Sequence, residues 1–137
     1  MNSNHEIVLE SNNKEVLLQL RGTYNLPLLQ RAIREVGKCC RQTGYRRVLA
    51  DARDHLGAID VVDLHQIGEL ISREIPGGCR VAVVVSIARL AMDRYLETVA
   101  VNRGVSFRLF TDMEDANQWL NSQRAGAGSQ YTAVSSQ

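Results

Sequence analysis

Apolar residues recur along this chain with two alternating periods. Val16, Leu18 and Leu20 alternate with polar neighbours and predict a strand from Glu15 to Gly22, preceded by a strand from His5 to Glu10. The turn formers Ser11-Asn12-Asn13-Lys14 between them have hairpin spacing. The period then changes. Leu29, Ile33, Val36 and Cys40 recur at helical spacing, with Asn25 as a cap, Pro27 in the first turn, Gly37 internal and Gly44 as the stop. A short apolar strand, Arg46 to Ala52, leads into a polar loop over 51–55. A second helix starts near Asp60, buries Leu64, Ile67, Ile71 and Ile75, and ends at Pro76-Gly77-Gly78.

The unbroken run from Val81 to Val85 predicts a strand covered on both faces, the centre of a parallel sheet. A third helix runs through Met92, Tyr95, Leu96 and Val99 to a stop at Gly104, and Val105 to Phe110 forms the last strand. Thr111 and Glu114 have the spacing of a capping box, and Ala116, Trp119 and Leu120 give a closing helix its inward face. The order is ββαβαβαβα: an α/β fold with a mixed, mostly parallel five-stranded sheet and four helices. A single domain over 1–121 is expected, and the Ser, Gln, Gly and Ala of 122–137 predict a disordered tail.

Composition narrows the function classes. A chain of 137 residues can bury roughly 70% of its extended surface and needs no staples. With 45% hydrophobic residues, 23% charged residues and a net charge of +1, it shows no bias toward nucleic acid or acidic lipid. Lys38, Arg41, Arg46 and Arg47 form a small basic group at a helix end, where cations complement the dipole. At 5% aromatic content they lack the interleaved rings of a nucleic-acid face, and no nucleic-acid partner is expected. Neither a leader nor a run approaching about 18 apolar residues is present, so the expected location is cytoplasmic, without membrane insertion. Three cysteines, Cys39, Cys40 and Cys79, fit neither a disulfide framework nor zinc spacing, and a reducing compartment with buried thiols is the plain reading.

The densest ionisable cluster is Asp51, Asp54, His55, Asp60, Asp63 and His65. It leaves the carboxyl end of a strand, where open α/β sheets place ligands. Carboxylates with an imidazole could hold a cation or move a proton. Against that, Asp60 is explained as a helix cap, and Asp63 and His65 as the polar face of an amphipathic helix. Arg89, Arg94 and Arg103 could grip an anion or pair with Asp93 and Glu97. Glycine-rich phosphate loops, the nucleophile elbow and the zinc-protease motif are all absent. No cofactor and no catalytic residue is expected.

The run from Asp93 to Asp112 (DRYLETVAVNRGVSFRLFTD), followed by Glu114 to Leu120 (EDANQWL), resembles the third helix, last strand and closing helix of the STAS domain. The nearest branch is the SpoIIAA-like one, grouped with the SEC14-like fold. The resemblance spans Val16 to Leu120 and rests on packing motifs. In classical members the third strand ends in an Asp followed by a phosphorylatable Ser or Thr that switches binding to an anti-sigma factor. Here Leu49-Ala50-Asp51-Ala52 matches that stretch, with Ala52 at the hydroxyl position. The resemblance therefore implies a non-catalytic regulatory domain without that phosphorylation, binding a protein partner through Asp51, Arg53, Asp54, His55 and Asp60. Two alternatives stay open: a carrier or sensor of a small lipid-like or anionic ligand, and, less favoured, a metal-dependent enzyme using the Asp/His loop. A homodimer is compatible with an exposed sheet edge.

Overall fold

In the computed structural model, which describes residues 4–10, 13–56 and 59–122, nine elements follow the expected order. They are β1 (Asn4–Glu10), β2 (Glu15–Thr23), α1 (Leu26–Thr43), β3 (Arg47–Leu56), α2 (Val61–Glu74), β4 (Arg80–Val84), α3 (Ile87–Asn102), β5 (Ser106–Phe110) and α4 (Met113–Asn121). The five strands lie side by side in chain order, with β1 antiparallel to β2 and every later pair parallel. β3 is therefore the central strand. β4, expected there from its apolar run, lies one place toward the β5 edge, because a run covered on both faces marks an internal strand and not its rank.

Sequential order with right-handed crossovers sets α1, α2 and α3 on one face. There Val16, Leu18 and Leu20 of β2, Val48, Ala50 and Ala52 of β3, and Val81 of β4 meet the apolar stripes of the three helices in one core. Glycines let the helices approach closely. A Cβ on Gly37 would strike the Glu74 carbonyl of α2, and one on Gly68 would strike the Val99 side chain of α3. α4 packs against β3, β4 and β5. It closes a smaller core with Leu49, Ala82, Val84, Ala116 and Leu120, on the face that the alternating strand residues turn away from the other helices. Arg80 lies over the Trp119 ring, 4.2 Å from its centroid, and Trp119 in turn contacts Phe110.

Caps follow local chemistry. The Asn25 side chain accepts from Leu28 N and opens α1, and Asp60 accepts from Asp63 N and opens α2. The box expected from Thr111 and Glu114 is displaced by one residue: Asp112 is the cap and accepts from Asp115 N. Met92 and Tyr95 lie on the outer side of α3, whose inward face carries Asp93, Leu96, Val99 and Ala100. The tail expected over 122–137 falls, apart from Ser122, outside the described residues. Among the described residues no helix is long and apolar enough to cross a membrane.

Candidate functional site

The polar segment expected as a loop is strand. β3 continues through Arg53, Asp54, His55 and Leu56, pairing with Arg21, Gly22 and Thr23 after a register shift in β2 between Gln19 and Arg21. β4 stops opposite Asp51, so beyond that point β3 has β2 on one side only. The second row of backbone bonds, supplied by β2, is what extends β3; it joins residues more than thirty positions apart and leaves no local pattern.

The strand's alternation then separates the candidate residues. Asp51 and Arg53 share the α4 side of the sheet and engage each other as a fork: Arg53 Nε donates to Asp51 Oδ1 at 2.9 Å and Nη2 to Oδ2 at 2.9 Å. The Arg53 backbone N–H adds a third bond to Oδ1 at 3.2 Å. That hydrogen bonding holds the Asp51 carboxyl below the usual carboxylate range, against the opposing effect of burial. Asp54 is exposed, beside Arg21 in register. The His55 backbone pairs with Gly22; its side chain lies outside the described residues. Asp60 is exposed and occupied as the α2 cap. His65 reaches Glu69, which also holds Arg103. Among the described residues no three His, Cys, Asp or Glu side chains come together as metal ligands.

Ala52, at the position matched to the family's hydroxyl, faces the three-helix core at 7% exposure. A hydroxyl there would face the apolar space beneath the three helices and not solvent. What the sequence reading missed is apolar. Val61 and Val62 in the first turn of α2 are 56% and 65% exposed, and Ile87 at the start of α3 is 80% exposed. Both helices begin where parallel strands end, so their first turns project from the same edge of the sheet as Asp54 and Asp60. Two adjacent valines after an aspartate cap were the available signal: consecutive helical positions lie about 100° apart, so both cannot face the core.

A different feature lies under the helices. A cavity of about 120 Å³ lies between α1, α2 and α3 and the sheet, lined by residues such as Leu18, Ile33, Ile67, Val83 and Leu109. Arg89 and Asp93, one turn apart on α3, are the charged members of its lining, with Arg89 Nε 3.7 Å from Asp93 Oδ2. Burial pushes the Asp93 carboxyl up, and Arg89 opposes that shift.

The element order, the strand order and the position of α4 define the STAS, SpoIIAA-like fold. A crystal structure of an anti-sigma factor antagonist from Mycobacterium paratuberculosis matches it with a TM-score of 0.59 over 87% of this chain and 96% of that one, at 17% sequence identity. Neither a protein-family model nor a curated protein matches the sequence.

Proposed function

We propose that the chain is a non-catalytic, cytoplasmic regulatory domain that binds another protein through the edge carrying Asp54, Asp60, Val61, Val62 and Ile87. The observation that carries this reading is the exposure of three large aliphatic side chains at the end of the sheet that also carries the Asp54 and Asp60 carboxylates, on a fold shared with an anti-sigma factor antagonist. Exposed apolar residues rimmed by charge are the usual composition of a recognition surface. The neighbouring ionisable groups support it by their engagement: Asp51 with Arg53, Asp60 with its helix, His65 with Glu69. The test is capture of the partner by the tagged chain and by Val62→Asp/Ile87→Asp, with far-UV circular dichroism confirming the fold. Loss of the partner with an unchanged spectrum is expected; equal capture by both proteins would overturn the reading.

The cavity favours a second reading, a holder of one small apolar ligand. It predicts a mass excess in native mass spectrometry that vanishes on denaturation. A clean apo mass for protein purified without detergent counts against it.

A further inference from the structure

Cys40 lies in the last turn of α1, and Cys79 stands immediately before β4. Thirty-nine positions separate them in the chain, yet both thiols belong to the same core, at 2% and 4% exposure, and they hydrogen-bond to one another. Cys79 Sγ also donates to the Tyr45 carbonyl at 3.8 Å. The surrounding backbone is tied on several sides. Gly44 N donates to the Cys40 carbonyl at 2.9 Å, Arg80 N to the Arg46 carbonyl at 2.8 Å, and Arg41 Nη1 to the Glu74 carbonyl at 2.9 Å. The end of α1 and the turn before β4 are thus tied to common neighbours around the two thiols. Cys39, one residue away, is half-buried on a different side of the helix.

We propose that Cys40 and Cys79 form a redox modification site, joined as a disulfide by a hydroperoxide-class oxidant, with Cys39 left as a free thiol. Cys79 is the attacking sulfur. Its thiol is drawn below the usual range by the hydrogen bond from Cys40 and by the charge of Arg46, against the effect of burial, whereas Cys40 is pushed up and keeps its proton. The Cys79 thiolate attacks one peroxide oxygen and the O–O bond breaks, leaving a sulfenic acid and hydroxide, which takes a proton and departs as water. The Cys40 sulfur then attacks the Cys79 sulfur. The S–S bond forms as the S–O bond breaks, and the released hydroxide takes the Cys40 proton. Two thiols are oxidised, and one hydrogen peroxide becomes two waters. The exposed Gly77 and Gly78 directly before Cys79 place the site close beneath the surface.

The experiment treats the folded full chain with hydrogen peroxide, quenches with an alkylating reagent in denaturant, and maps the peptides. A product lighter by two hydrogens, with Cys40 linked to Cys79 and Cys39 alkylated, is expected, and dithiothreitol reverses it. Closing a loop of this length raises Tm by on the order of 10 °C. Cys39→Ser keeps both the link and the shift; Cys79→Ala, which leaves a small apolar group in the core, loses both. A link through Cys39, arrest at a sulfinic acid on Cys79, or full alkylation of all three thiols after peroxide overturns the proposal.

Discussion

The two faces of the sheet are closed by different means. One carries three helices, a large continuous core, a 120 Å³ gap and a charged pair within the lining of that gap. The other carries α4 alone, yet Leu120 and Ala116 on its inner side and Val84 and Ala82 beneath it are all at most 1% exposed. Packing density thus does not follow the number of covering helices. Three helices must satisfy one another as well as the sheet, and the close approaches at Gly37 and Gly68 fix α1, α2 and α3 as one layer that cannot settle independently onto the strands. A single helix adjusts freely to the strands below it.

The sharpest way to break this contrast is to remove a side chain from the tight face. Leu120→Ala leaves a void that a short helix cannot refill, and a loss of about 2–5 kcal/mol is expected in denaturant unfolding. Adding volume should give opposite signs on the two faces. Ala82→Val beneath α4 costs about 1–3 kcal/mol by overpacking, whereas Ala50→Val, whose position lines the cavity, is neutral or stabilises by about 0.5–2 kcal/mol. If both changes destabilise equally, the faces are packed alike.

The pH dependence separates two carboxylates. Asp93 is pushed up, so the native state keeps its proton longer than the unfolded chain does. Its favourable contribution is complete below the ordinary carboxylate value and is lost as pH rises through the raised one. Asp51 is pushed down, so its contribution is complete above the ordinary value and is lost as pH falls through the lowered one. Unfolding curves measured at acidic to neutral pH should show wild type losing ground to Asp93→Asn as pH rises, and gaining on Asp51→Asn. The smallest effect belongs to Arg53→Ala: this half-exposed guanidinium contributes about 0–1 kcal/mol, and added salt should shrink the difference.

Much of this architecture was legible because its causes are local. The helix stripe through Leu29, Ile33, Val36 and Cys40, the stops at Gly44 and Gly104, and the cap at Asp60 depend on residues within a turn of one another. The Asp51 to Asp60 segment was legible as a charged cluster but not as a strand. The residues that pair with β3 there, Arg21 to Thr23, lie in another strand. Similarly, the Asp51–Arg53 fork appears only once alternation along an extended strand turns both side chains to one side, and the exposure of Val61 and Val62 only once α2 is rotated onto its neighbours.

By itself, then, the amino-acid order determined the number, type and sequence of the elements, and the class of fold they build, because hydrophobic periodicity and capping are set by near neighbours and handedness by backbone sterics. Only the tertiary structure decided that β3 holds the centre, that Ala52 is buried, that a gap opens on one face, and that Cys40 meets Cys79. Each of those depends on how distant segments fill a shared volume, a constraint that no single stretch of sequence carries.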